Sequence, residues 1–189
     1  MHLVFIRLAM FALFAGALPV QASSTEPPES ATPVVTAVEA APWLEYDAGK
    51  LRVLASAEST GGRYAVLELH ELSEYQTPPH RHPGMDETFY VLEGTLELRL
   101  PGKTHRLGAG SYAHVPRDTP HAQGSADGRP VRVLITVSPG HFEAFFLDRV
   151  GLVAKTPRSH PDFRRMYLEI VRKHAEWLQP ATLESPTAQ

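Results

Sequence analysis

Pro79-His80-Arg81-His82-Pro83-Gly84-Met85-Asp86-Glu87, answered downstream by Pro116-Arg117-Asp118-Thr119-Pro120-His121, is the stretch on which this chain turns. His80 and His82 are two positions apart. On a strand they would project from one face, about 7 Å apart along the chain. Glu87 follows a Pro-Gly turn signal, and alternation from there sets Glu87, Phe89 and Val91 on one face. His121 arrives on a later segment. Three imidazoles and one carboxylate form a mixed nitrogen and oxygen set suited to a divalent transition metal. A carboxylate on an apolar strand face is costly when unpaired and tolerable when coordinated.

Working outward, residues 51 to 138 read as short strands punctuated by turn residues. Leu51–Leu54, Tyr64–Leu69, Thr88–Leu92, Thr95–Leu100, Thr104–Leu107, Ser111–Val115 and Val131–Val137 are the predicted strands. Glu93-Gly94 is a tight hairpin signal, and Pro101-Gly102 marks another turn. Many short strands at close spacing predict an all-β fold, a small antiparallel β-barrel or sandwich. After Pro139-Gly140 the period changes. Phe142, Phe145, Phe146 and Val150 recur at helical spacing, as do Phe163, Met166, Tyr167, Ile170, Val171, His174, Trp177 and Leu178. Two C-terminal helices are expected, with Pro157 and Pro161 between them and Pro180 as a stop. Their aromatic stripe fits packing on the outside of the barrel; closing a pocket is the alternative.

The chain begins as an export signal would. Arg7 is the only charge in the first twenty-two residues, an apolar run follows from Leu8 to Leu18, and Val20-Gln21-Ala22 fits a small-x-small cleavage pattern. The run is short of the roughly 20 apolar residues of a spanning helix. Residues 1–22 are therefore expected to be a signal peptide and the mature protein periplasmic or secreted, with no membrane association after cleavage. Residues 23–41, rich in Ser, Thr, Pro, Glu and Ala, read as a flexible lead-in. The expected barrel spans 42–140, the helical extension 141–180 and a tail 181–189.

The formal charge is −3, with no basic stripe, which gives no electrostatic case for nucleic-acid binding. With no cysteine, disulfides, thiolate metal sites and cysteine nucleophiles are excluded. The scattered serines lack a nucleophile elbow, and no Walker-type phosphate loop is present. His70, His105, His114, His141, His160 and His174 read as ordinary polar or packing residues. Glu68, Glu71 and Glu74 fit pocket acids and a solvated strand face equally well. Arg81, Arg99 and Arg117 are candidates for polar groups converging on a ligand.

The two histidine segments resemble the motifs of the cupin superfamily. The first cupin motif, G-x5-H-x-H-x3–4-E-x6-G, is matched from His80-x-His82 through Glu87 to Gly94. The second, G-x5-P-x-G-x2-H-x3-N, is matched in frame by Gly110, Pro116 and His121. Three positions depart: Glu74 replaces the opening glycine, Asp118 the glycine before the last histidine, and Ser125 the final asparagine. Asp118 is a residue that tolerates a left-handed turn better than most. The resemblance covers about residues 50–140. It implies a cupin barrel (double-stranded β-helix, jelly-roll) and one divalent transition metal per chain, held by His80, His82, Glu87 and His121. Cupins often dimerise through sheet edges, so a homodimer is expected.

Val137-Ser138-Pro139-Gly140-His141-Phe142 and the Phe-rich helix after it look like single-domain cupins of the quercetin-dioxygenase-like kind. That resemblance implies oxygen-dependent chemistry on a small aromatic or enol substrate, with Glu87 as the catalytic base. Two other classes stay open: a binding or sensing module without turnover, and redox-neutral chemistry such as decarboxylation or isomerisation. An apolar pocket beside the metal would favour the first, converging polar groups a sugar or acid ligand.

Overall fold

A computed structural model describes residues 33–184. The predicted signal peptide, residues 23–32 of the lead-in and residues 185–189 of the tail lie outside the described residues. The described residues hold eleven strands: β1 (Leu44–Tyr46), β2 (Gly49–Ala55), β3 (Ala65–Glu71), β4 (His80–Arg81), β5 (Asp86–Glu93), β6 (Thr95–Leu100), β7 (Lys103–Gly108), β8 (Tyr112–Val115), β9 (Ala122–Ser125), β10 (Val131–Ser138) and β11 (Gln179–Pro180). Two helices follow β10, α1 (Glu143–Lys155) and α2 (Phe163–Lys173). A six-stranded sheet runs β1-β2-β3-β10-β5-β8, a three-stranded sheet runs β7-β6-β9, and β11 pairs with β4. Every pairing is antiparallel. This is the all-β jelly-roll with two C-terminal helices.

Alternation drives the closure. On β10, Val131, Val133, Ile135 and Val137 are buried, and on β5 so are Glu87, Phe89 and Val91. Leu67 and Leu69 of β3 and Leu96 and Leu98 of β6 complete the same interior. Each fully buried aliphatic or aromatic side chain contributes roughly 1.5–3 kcal/mol, so this lining is the main stabilising term.

One turn differs from expectation. Glu93-Gly94 joins β5 to β6, but these strands do not pair with each other. Both edges of β5 are taken, by β10 and by β8, and β6 pairs with β7 and β9. Gly94 is instead a corner between sheets, at φ +80°, where a Cβ would stand 2.7 Å from the carbonyl oxygen of Pro130. The two-residue hairpin is at Pro101-Gly102, between Leu100 and Lys103.

The C-terminal segment also departs from a single amphipathic helix. Helix α2 ends at Lys173, and Trp177 and Leu178 lie beyond it. Pairing of Gln179 with Arg81 and Pro180 with His80 draws the chain into β11, beside the first histidine motif. Aromatic residues of α1 and α2 therefore face the barrel mouth and line its cavity rather than only packing outside.

Candidate metal centre

The two motifs are laced together by backbone. His80 and His121 form an antiparallel bridge, exchanging N–H···O bonds of 2.9 and 2.8 Å. The Asp118 N–H donates to the His82 carbonyl at 2.9 Å. Asp118 adopts φ +63°, the left-handed turn expected of it. The Asp86 carboxylate accepts from the Arg117 N–H at 2.9 Å and its guanidinium at 2.7 Å. That contact holds the Asp86 carboxyl below its ordinary range. Turn and strand thus deliver His80, His82, Glu87 and His121 to one buried point, where one donor atom from each lies within 4.8 Å of the others.

The imidazoles are oriented from behind. His80 Nδ1 is 2.9 Å from the Pro78 carbonyl, His121 Nδ1 is 2.9 Å from the Thr119 carbonyl, and His82 Nδ1 is 2.6 Å from the Trp177 carbonyl. A carbonyl only accepts, so each Nδ1 carries the proton and each Nε2 is left to the interior. This is the outer-shell arrangement that fixes tautomer and ring direction in metal-binding histidines.

His121 Nε2 and His82 Nε2 lie 3.0 and 3.2 Å from Glu87 Oε2. Donors on neighbouring positions of an ion with bonds of about 2.1 Å stand about 3.0–3.4 Å apart, so both distances suit a shared ion. His82 Nε2 is buried and makes no hydrogen bond, the Glu87 contact being a distance without the required direction. An ion would satisfy that atom.

The electrostatics follow from burial. Desolvation, reinforced by the neighbouring His121 and His82, pushes His80 down to about 3. Burial raises the Glu87 carboxyl, but the close contacts and charge of His121 and His82 outweigh it and hold it well below the usual carboxylate range. Burial lowers His121, and Glu87 reverses this to a net rise. The site therefore presents an anionic oxygen among imidazoles, a donor set that fits iron, manganese, nickel, cobalt, copper or zinc.

A cavity of about 220 Å³ opens beside His80, His82 and Glu87. Phe142, Phe145, Phe146, Val171 and Leu178 belong to its apolar wall. Phe142 stacks parallel to Phe145 at 5.0 Å and meets the His82 ring edge-on at 4.7 Å. Glu71, Tyr75, Gln123 and Arg149 add polar groups.

The arginines singled out from sequence do not line this cavity. Arg81 is bonded to Gln179, Arg99 to Gln76 and the Thr77 carbonyl, and Arg117 to Asp86. Arg149 of α1 was missed, although it continues the stripe Phe142, Phe145, Phe146 at helical spacing. The three acids separate as well. Glu74 is exposed. Glu68 is paired with Arg52 at 2.6 Å and Arg132 at 2.9 Å. Glu71 faces the cavity.

Comparison with known proteins agrees with this geometry. Residues 69–137 match the cupin domain family. Over 125 residues the chain is 30% identical to quercetin 2,3-dioxygenase of Bacillus subtilis, covering 66% of this chain and 37% of that protein. It is 30% identical over 92 residues to the tetracenomycin polyketide synthase protein TcmJ of Streptomyces glaucescens, covering 48% of this chain and 62% of that one. The chain thus spans less than two thirds of either relative. Among solved structures, KdgF from Halomonas sp. superposes with a TM-score of 0.51 at 20% identity, covering 57% of this chain and 94% of that one. An RmlC-like cupin from Shewanella frigidimarina gives 0.52 at 18% identity, covering 60% and 96%. At such identities the structural likeness speaks for the fold alone. Barrel, motifs and family match agree: residues 69–137 match the cupin domain, and the described residues form one jelly-roll barrel around the two motifs.

Proposed function

We propose that this protein is an exported cupin that binds one divalent transition metal through His80, His82, Glu87 and His121 and oxidises a small aromatic or enol substrate with dioxygen. The observation that carries the reading is the mostly apolar cavity, with Phe142, Phe145 and Phe146 in its wall, set directly against the ligand cluster. The 30% identity to a quercetin 2,3-dioxygenase over 125 residues supports it, as does the signal-like start of the chain for export.

A divalent transition metal held there would supply Lewis acidity and, for a redox-active ion, an electron-transfer centre with open coordination positions. The chain does the rest. The three carbonyl-anchored imidazoles hold their Nε2 atoms in place. Glu87, the only anionic ligand, accepts the enol or phenol proton as general base. Phe142, Phe145 and Phe146 bind the substrate ring and keep water from it.

The test is oxygen uptake and absorbance with metal-loaded protein, given a panel of flavonols and single-ring enols. Decay of the substrate band that requires air supports the reading. A shifted band that is stable in air makes the protein a binding module. Substrate loss under nitrogen assigns it to redox-neutral chemistry.

A further inference from the structure

Glu71 has no side-chain partner among the described residues. Its carboxyl is 1% exposed and hydrogen-bonds to nothing among the described residues, with Oε2 sealed from solvent. An unpaired buried polar group costs about 1–3 kcal/mol, more when charged, so such a group in a native site calls for a reason. Glu68, three residues earlier on the same strand, is held by two arginines. Glu71 instead lines the cavity that the metal-ligand cluster opens onto.

Arg149 lines that cavity too and is 2% exposed. Its Nε and Nη2 are committed to Asp47, at 2.7 and 3.1 Å, and Nη2 also reaches the Tyr75 hydroxyl at 3.2 Å. Its Nη1 makes no hydrogen bond among the described residues. An aromatic rail joins this pole to the ligand cluster. From the His82 ring it steps to Phe142 at 4.7 Å, to Phe145 at 5.0 Å and to the Arg149 guanidinium at 5.1 Å. The cavity therefore carries two groups of polar residues, and aromatic rings stand between the ligand cluster and Arg149. An apolar cavity of about 150 Å³ admits benzene, so about 220 Å³ admits one substituted ring.

We propose that Glu71 and Arg149 form a second anchoring pole that binds a hydroxyl on the far side of a single-ring enol ligand, so that the protein selects small hydroxylated rings bound to the metal by their other edge. This rests on the metal-and-enol reading above. A hydroxyl is the group that fits, because it donates to the Glu71 carboxyl and accepts from Arg149 Nη1 at once. Burial pushes the Glu71 carboxyl up to about 8, against the pull of Arg149 and with a push from Glu87. Near neutrality the carboxyl thus offers its carbonyl oxygen to a donor.

Two ring enols that differ only at the far hydroxyl test this: kojic acid and allomaltol, titrated by calorimetry into the cobalt-loaded full chain. Kojic acid is expected to bind about tenfold more tightly, the contribution of one hydrogen bond. In Glu71→Leu the preference should vanish while allomaltol affinity stays. Equal binding of the two by the wild-type protein overturns the second pole and leaves the metal-and-enol reading standing. A preference unchanged in Glu71→Leu also overturns it. Failure of both compounds to bind the loaded protein overturns the underlying reading and this inference with it.

Discussion

The two ends of the cavity are built in opposite ways. The metal end takes His80, His82 and Glu87 from one short stretch and His121 from a loop clipped to it by paired backbone bonds. The arginine end joins Arg149 to Asp47, 102 positions away in sequence, and to Tyr75, 74 away. The first is a local constellation that strand spacing can specify. The second exists only once α1 has docked on the barrel. Local spacing makes a site readable; tertiary docking makes one that must be seen.

The sharpest way to break this contrast is His82→Ala. The variant should lose bound metal more than a hundredfold in affinity, or nearly all of one equivalent by elemental analysis, with its far-ultraviolet dichroism unchanged. Full metal content in that variant would end the distinction between the two ends. Next is Arg149→Met. Removing one partner of a buried ion pair costs about 3–5 kcal/mol, and the partly exposed Asp47 places this case near the lower figure. A urea melt should show that loss, while metal content remains that of the wild type.

A smaller effect tests the carbonyl behind His82. Ending the chain after Glu176 removes the Trp177 carbonyl that accepts from His82 Nδ1. Loss of such an outer partner lowers metal affinity about 10–100-fold, measurable by chelator competition. The last test is Glu71→Gln in chelator-treated protein. Because the folded carboxyl is pushed up to about 8, the native state holds the proton longer than the unfolded chain does. Wild-type stability should therefore fall between about pH 4.5 and pH 8 relative to the variant, and the difference should level off above. A melting-temperature difference that is flat across this window would show Glu71 to be paired.

Much of the barrel was legible because its strands are half-buried. Alternation placed Glu87, Phe89 and Val91 on one face, and all three are buried. Asp118 in the left-handed region followed from its short polar side chain. What escaped was set by longer-range competition. The Glu93-Gly94 corner carries a hairpin's residues, but partner strands elsewhere had claimed both edges of β5. Strands β4 and β11, two residues each, are too short to leave a period. Arg149 was hidden by its own charge, since arginine is almost never fully buried unless paired. Its phase with Phe142, Phe145 and Phe146 was the available signal. For Glu71, the signal was its phase with Leu67 and Leu69.

The hydrogen bond from His82 to Trp177 also has a meaning in time. The two residues are 95 positions apart. At synthesis rates of about 5–20 residues per second, the histidine leaves the ribosome roughly 5–20 s before the carbonyl that will hold its ring. During that interval the imidazole can turn freely about its side-chain bonds. The direction of the ring is thus set only after the C-terminal segment has been made.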